Sequence, residues 1–324
     1  ILYYSQPDWH HPDYLGENHD RYIEYLHGQI RELLTNYGKI DGLWFDNLRG
    51  RGDNAEAAKL WNAEELFRMA RSIQPDLVIN DRCGLDADFY TPEQHVGRFQ
   101  LNRPWETCMT LNSQWAWKPD DKVKSLKQCI DVLVTCAVRG GNLALNTGPM
   151  PDGRIEPKQV ERFREIGAWL KSNGESIFGT RGGPWRDASW GGTTHRGERV
   201  YVHILRWPGD EVCLAPIPAK IVSHRVVTGG EATVSQTDDA ITISVPDEHR
   251  KEPDTIIELT LDGPAAELRA GLVSSGSLAV GKKITASSTW PGHGHTPRMA
   301  FDDDPTTRWG AGEDTTAGWL AVDL

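Results

Sequence analysis

Positive charge is scarce along this chain. The 324 residues carry 35 Lys and Arg against 46 Asp and Glu, a formal net charge of −11. A nucleic-acid backbone or an anionic membrane surface calls for clustered cations, so the balance argues against both as partners. Long apolar runs are also lacking: none approaches the ~18 residues of a membrane span, which argues against insertion into a bilayer. Cysteine is sparse, with Cys83, Cys108, Cys129, Cys136 and Cys213. They form no CxxC pair and are joined by no histidine at metal-ligand spacing, which argues against a zinc site. Their odd number leaves at least one thiol free. No GxGxxG or GxxxxGK[ST] follows any strand-like run, so a nucleotide site has no support. Tryptophan, by contrast, is plentiful, at thirteen residues. Core filling accounts for roughly two thirds of such residues, and the rest suit a neutral ligand with a flat apolar face, such as a pyranose.

The first half alternates strand-like and helix-like segments. Leu2–Ser5, Ile40–Asp46, Leu77–Asn80 and Asn142–Leu145 read as strands. Asn18–Asn36, Ala55–Ile73, Asp121–Val138 and Pro157–Lys171 read as helices, the first on the apolar stripe of Tyr22, Tyr25, Leu26, Ile30, Leu33 and Leu34. Near-continuous apolar strands between amphipathic helices predict an α/β fold with a parallel sheet buried on both faces. Polar residues follow the strands: Ser5, Asp46, Asp81 with Arg82, and Asn146. In a (β/α)-barrel that edge carries the active site, although a doubly wound open sheet gives the same alternation. The stretch supplies about half of the eight units of a barrel. The expectation is therefore a partial (β/α)8-like barrel over residues 1–177, its remaining strands preceding residue 1. The chain opens on the strand-like Ile1–Ser5 and closes on Trp319–Leu324, so it reads as a piece of a longer protein, with any signal peptide out of view.

From about Phe178 short alternating runs separated by Gly, Asp and Pro take over, at Arg199–Leu205, Ala219–Val227, Thr233–Gln236, Ala240–Val245 and Ile256–Leu261. They predict an antiparallel β-sandwich over residues 178–264. Residues 265–281 are rich in Gly, Ser and Ala and read as a linker, and a further segment occupies 282–324.

Hydrolysis of a glycoside needs two carboxyl groups about one bond, one ionised and one holding a proton to give away. Asp46 closes the apolar strand in Trp44-Phe45-Asp46 and would stand at the catalytic edge among aromatic walls. As a helix N-cap it would serve structure alone, and spacing does not separate the two roles.

Four segments, in order, carry a family resemblance. Tyr3-Tyr4-Ser5 with Asp8-Trp9 is the first, and Ile40-Asp41-Gly42-Leu43-Trp44-Phe45-Asp46 the second. Val78-Ile79-Asn80-Asp81-Arg82 is the third. The last is Gly140-Gly-Asn-Leu-Ala-Leu-Asn-Thr-Gly-Pro149 with Asp152-Gly153-Arg154-Ile155. Together they resemble the α-L-fucosidase family of retaining glycoside hydrolases, with Cys83 standing where that family usually has Trp. The resemblance implies an exo-acting enzyme that takes terminal α-L-fucose from glycans or glycoconjugates through a covalent glycosyl-enzyme intermediate, with no cofactor for catalysis. It implies Asp46 as the nucleophile and Arg82 beside the sugar or the nucleophile. Tyr3 would touch the sugar or orient Asp46, and Trp44 would wall the pocket. For Arg82 the alternative is a structural salt bridge, and for Tyr3 and Trp44 it is the barrel core. Two residues stand for the acid/base. Glu93, in Tyr90-Thr91-Pro92-Glu93, has the spacing and context favoured by the resemblance. Glu106, in Trp105-Glu106-Thr107-Cys108, has an apolar neighbour that would raise its pKa. His10 and His11 are read as loop structure.

From Ala279 the chain resembles the start of a discoidin-type carbohydrate-binding module, through Ala286-Ser287-Ser288, Ala300–Trp309 and Trp319–Leu324. Such modules hold a structural Ca²⁺ through oxygen ligands, for which Asp304 and Thr307 are the candidates, with a plain Asp/Thr turn as the alternative. Glycan substrates and this module imply an extracellular or periplasmic location. Two alternatives stand beside the fucosidase reading: a non-catalytic sugar-binding protein on a decayed scaffold, and an exo-glycosidase for another sugar such as an α-galactoside. The segment alone, with about half a barrel, is expected to be inactive.

Overall fold

The computed structural model describes residues 1–46, 54–268, 283–290, 296–301, 308–312 and 317–323. Asp304 and Thr307 lie outside these residues. By internal contacts the chain forms two compact units, Ile1–Pro92 with Arg103–Glu106, and Glu93–Asn102 with Thr107–Leu324. The architecture is mixed α/β.

The first unit is built on a parallel sheet of β1 (Leu2–Ser5), β2 (Gly42–Asp46) and β3 (Val78–Ile79), with β2 at its centre. The register sets Tyr3 beside Trp44 and Ser5 beside Asp46. Helix α1 (His19–Asn36) buries Tyr22, Ile23, Leu26, Ile30 and Leu34 against Leu43, Phe45 and Ile79 of the sheet, in one apolar cluster. The expected helix over Ala55–Ile73 is two helices, α2 (Asn54–Leu60) and α3 (Ala63–Ile73). Asn62 between them adopts a left-handed conformation, with φ of 46°. Asn tolerates that region better than most residues, and the break lets Trp61 turn fully into the core.

Strand β4 (Glu106–Thr110), absent from the sequence-based expectation, forms a two-stranded sheet with β5 (Asn142–Asn146). Helix α4 starts at Leu126 rather than Asp121 and ends at Val138. Ser125 and Gln128 close a reciprocal capping box there, satisfying two N-terminal amides that a longer helix would leave to others. Asp121 instead binds the backbone amide and hydroxyl of Ser113. Helix α5 (Pro157–Asn173) has Pro at its first turn, as expected.

Beyond α5 the strands are antiparallel. One sheet runs in the order β10 (Ile221–Val226), β13 (Thr255–Leu261), β8 (Arg199–Ile204), β7 (Gly191–Arg196), β6 (Arg181–Gly182). A second runs β11 (Thr233–Gln236), β12 (Ile241–Ser244), β9 (Glu211–Leu214). Val200, Val202, Val212, Leu214, Ile241, Ile243, Ile257 and Leu259 from both sheets form one apolar cluster, the outcome of period-two alternation. The other face of the larger sheet supplies Tyr201 and Ile256 to a cluster with α4 and α5. A buried His203–Asp254 pair at 2.7 Å lies in the second unit, with His203 Nε2 on Thr194. Near the end, β14 (Lys283–Ala286) and β15 (Leu320–Asp323) pair antiparallel. No disulfide joins the five cysteines, all of which are described, and only Cys213 is exposed. Among the described residues no helix is long and apolar enough to cross a membrane, and no group of three or more His, Cys, Asp or Glu could hold a metal ion.

Candidate active site

The C-terminal edge of the parallel sheet gathers Tyr3, Trp44, Asp46, Arg82 and Glu106 within the first unit. Side chains two residues apart on a strand share a face, so β2 sends Trp44 and Asp46 the same way. Asp46 accepts a hydrogen bond on each carboxylate oxygen. The Tyr3 hydroxyl donates to Oδ2 at 2.5 Å, and Arg82 Nη1 donates to Oδ1 at 3.1 Å. The Arg82–Asp46 pair is largely buried, with side-chain exposures of 13% and 19%. Opposing donors on the two oxygens fix the carboxylate plane.

Arg82 is held in turn. Its Nε donates to Thr91 Oγ1 at 2.9 Å and its Nη2 to the Thr91 carbonyl at 3.2 Å. The Thr91 hydroxyl in turn donates a hydrogen bond to Asp81 Oδ1 at 3.0 Å. The guanidinium also lies 4.6 Å from the Trp44 ring centroid, a cation–π contact, while Tyr3 stacks on the same indole at 5.6 Å and 23°.

The strand that presents Asp46 is pinned by a side chain. Past Ile79 the β2–β3 ladder would run out, but fully buried Asn80 continues it. Its Oδ1 accepts from the Phe45 amide and its Nδ2 donates to the Phe45 carbonyl, both at 2.9 Å. Asn80 and Thr91 both lie inside motifs quoted above, where neither carries an expected role. An amide side chain at the end of an apolar strand was the signal for the first, while Thr91 had none.

Glu106 arrives from far along the chain. Its segment is laid against residues 86–90 by a bond from the Tyr90 amide to the Pro104 carbonyl at 3.1 Å and another from the Glu106 amide to the Tyr90 carbonyl at 2.8 Å. Arg103 clamps the same segment, stacked 3.4 Å from the Tyr90 centroid, bonded to the Ala87 carbonyl and paired with Asp86. Trp44 Nε1 then donates to Glu106 Oε1 at 3.3 Å. Burial pushes the Glu106 carboxyl above the ordinary carboxylate range, and the Trp44 bond opposes part of that rise. Glu93 belongs to the second unit, where it bridges to Cys108 and its carbonyl meets His95 Nδ1 at 2.8 Å. His11 packs on Tyr22 and Tyr25 and accepts the Asp13 amide, in keeping with a loop role.

An anchored carboxylate, an arginine and a second carboxyl with a raised pKa, set at the C-terminal edge of a parallel sheet, are the parts of a carboxylate-based hydrolase site. The family model for Alpha-L-fucosidase matches residues 1–175. An alpha-L-fucosidase of Dictyostelium discoideum is 27% identical over 279 residues, covering 76% of this chain and 59% of that protein. Among solved structures, alpha-L-fucosidase isoenzyme 1 from Paenibacillus thiaminolyticus is 33% identical with a TM-score of 0.70, covering 80% of this chain and 71% of that one. An alpha-L-fucosidase from Bacteroides thetaiotaomicron, trapped as a covalent intermediate with 2-fluoro-fucosyl fluoride, has 25% identity and a TM-score of 0.70. That match covers 81% of this chain and 67% of that one. The chain belongs to the alpha-L-fucosidase family. It spans 59% of the length of the first curated relatives it matches.

Proposed function

We propose that the protein is an exo-acting retaining α-L-fucosidase that releases terminal fucose from fucosylated glycans, with Asp46 as nucleophile. The observation that carries this is the pair of hydrogen bonds from Tyr3 and Arg82 that set the Asp46 carboxylate at the sheet edge, in a chain of this family. In the first step a carboxylate oxygen of Asp46 bonds to the anomeric carbon as the bond to the leaving oxygen breaks, and that oxygen takes a proton. In the second a water loses a proton to the same acid/base and displaces Asp46 from the anomeric carbon. The covalent intermediate trapped in the Bacteroides relative supports this course.

For the acid/base the observations favour Glu106 over Glu93. Its partial burial lifts its pKa, as a group that must carry a proton at neutral pH requires, and Trp44 binds it beside the nucleophile strand. Arg82 and Tyr3 act as donors that hold Asp46, and Trp44 forms an apolar wall whose C–H-facing surface suits a deoxy sugar.

The same reading extends to the rest of the chain. Residues 1–177 would form part of a (β/α)8-like barrel, residues 178–264 a β-sandwich, and residues 282–324, after a linker over 265–281, the beginning of a discoidin-like carbohydrate-binding module. Its support is the Ala286-Ser287-Ser288 and Trp319–Asp323 segments, which fall on and beside the paired β14 and β15. A structural Ca²⁺ in that module, and an extracellular or periplasmic location, are parts of this proposal.

The test is hydrolysis of para-nitrophenyl α-L-fucoside by the full-length protein, with Asp46→Ala alongside. Release that is lost in the variant is the expected result. Release from an aryl α-galactoside but not from the fucoside would replace the sugar assignment, and glycan binding without turnover of any aryl glycoside would replace the enzyme with a binding protein.

A further inference from the structure

Arg82 meets a second carboxylate besides Asp46, at one remove. Its Nε donates to Thr91 Oγ1 at 2.9 Å, and that hydroxyl donates to Asp81 Oδ1 at 3.0 Å. Donor count fixes the direction of both bonds. A guanidinium N–H can only donate, and a hydroxyl has a single proton. With Nε aiming its hydrogen at Thr91, the threonine proton goes to Asp81 and a threonine lone pair is held toward Nε. Arg82 therefore lies between Asp46, bonded directly through Nη1 at 3.1 Å, and Asp81, reached through the hydroxyl.

The loop from Asp81 to Thr91 is closed without this carboxylate. The Asp81 amide donates to the Phe89 carbonyl at 3.2 Å, and the Asp88 amide to the Ile79 carbonyl at 3.0 Å. Gly84 turns the chain with φ of 84°, a region that favours glycine, and its amide meets the Asp81 carbonyl at 3.1 Å. All of these residues belong to the first unit. Among the described residues the Asp81 carboxylate enters no ion pair, and the bond it accepts comes from Thr91. A carboxylate that only built the turn would bond the turn's own backbone or pair with a cation. The effect left to Asp81 is on the hydroxyl that receives Arg82.

That effect reaches the nucleophile. Without its acceptor the Thr91 proton is free to swing toward Nε, where two hydrogens would oppose each other. The rear of the fork would then give way, and Nη1 would shift against Asp46 Oδ1. Rates fall steeply when an attacking group is misplaced.

We propose that Asp81 is a positioning residue for the nucleophile. It orients the Thr91 hydroxyl, the hydroxyl seats Arg82, and Arg82 holds the Asp46 carboxylate. This rests on the fucosidase reading above. Asp81 acts through Arg82 and takes no part in the bond changes.

The experiment times covalent labelling of the full-length protein by 2-fluoro-fucosyl fluoride, the compound that trapped the Bacteroides relative, using intact-protein mass spectrometry. In this reaction an Asp46 oxygen bonds to the anomeric carbon while the carbon–fluorine bond breaks and fluoride leaves, with no proton donor needed. The rate reads attack by Asp46, and the final labelled fraction reads how much protein is folded. Asp81→Ala should label about three- to tenfold more slowly than wild type, the scale of one hydrogen bond, and reach the same labelled fraction. Asp81→Asn keeps an accepting oxygen and should fall in between. In an Arg82→Lys background the fork is already gone, so Asp81→Ala should change the rate there by less than about twofold. Equal slowing in both backgrounds, or a lower labelled fraction at an unchanged rate, would make Asp81 a loop-building residue and overturn the proposal, as would no slowing at all. Wild type that takes no label and releases no fucose from an aryl fucoside would sink the fucosidase reading itself, a result separate from any ranking of the Asp81 variants.

Discussion

The indole N–H of Trp44 donates to the carboxylate of Glu106 at 3.3 Å, joining the strand that ends in Asp46 to a segment 62 positions away. One indole thereby touches the arginine and the tyrosine that hold Asp46, and Glu106 as well. The Glu106 carboxylate and the Arg82 guanidinium thus contact the same side chain.

The Trp44–Glu106 bond has a pH consequence. Burial raises the Glu106 pKa, and the Trp44 bond lowers it by favouring the ionised form. The protonated form is lost as pH rises through the raised value, so with Glu106 in the proposed acid role it is expected to set the alkaline limb of kcat/KM. Trp44→Phe removes the lowering influence and moves that limb to higher pH. A limb that moves to lower pH, or stays put, in the pH–rate profile of the variant would separate Glu106 from the reaction.

Glu106→Gln should cost about 10²–10⁴-fold in kcat/KM on substrates whose leaving group needs a proton. A fluoride or dinitrophenolate leaving group should suffer far less. Glu93→Gln, measured beside it, should show no such dependence on the leaving group. The reverse pattern would return the acid/base role to Glu93.

Arg82→Lys keeps the charge and loses the fork that reaches Asp46 and Thr91 together. A loss of about 10- to 100-fold in kcat/KM is expected, from one or two charge-assisted hydrogen bonds. Thr91→Val removes the Oγ1 acceptor alone and should cost about three- to tenfold. Steady-state kinetics on an aryl fucoside reads both, and equal effects for the two would mean that Arg82 does not act through Asp46.

Asn80→Ala leaves the Phe45 amide and carbonyl without their partner inside the sheet. Each buried unsatisfied group costs about 1–3 kcal/mol, so a loss of about 2–6 kcal/mol of stability is expected. Thermal unfolding followed by circular dichroism tests it, and a change below about 1 kcal/mol would show that water or local rearrangement replaces both bonds.

Gly148 lies against the backbone of the Trp115–Trp117 segment. A Cβ there would come within 2.5 Å of the Trp117 nitrogen and 2.9 Å of the Trp115 carbonyl oxygen. Gly148→Ala should therefore displace that segment, shifting tryptophan fluorescence and lowering the melting temperature. An unaltered spectrum and melting temperature would mean that the contact gives way freely.

Much of the fold could be read residue by residue. The stripe of Tyr22, Leu26, Ile30 and Leu34 does pack α1 on the sheet, and the polar residues at the ends of β1, β2 and β3 do meet at one edge. The break at Asn62 escaped, because a left-handed residue leaves the apolar spacing on either side intact. Strand β4 escaped because Glu106–Thr110 is buried along nearly its whole length and shows no alternation to count.

The elements, the strand-end carboxylate and the family motifs are therefore properties of the sequence by itself. Each depends on neighbours within a turn of helix or a few residues of strand, where periodicity and terminal polar groups report directly. Which carboxyl group stands near Trp44 was decided only by tertiary structure. Along the chain, spacing and context favour Glu93 while an apolar neighbour, Trp105, favours Glu106, and neither shows which of them reaches the indole. Arg103 stacked on Tyr90, and the backbone bonds that lay Pro104 and Glu106 against it, bring one of them to the indole of β2. The burial that follows from this placement raises its pKa.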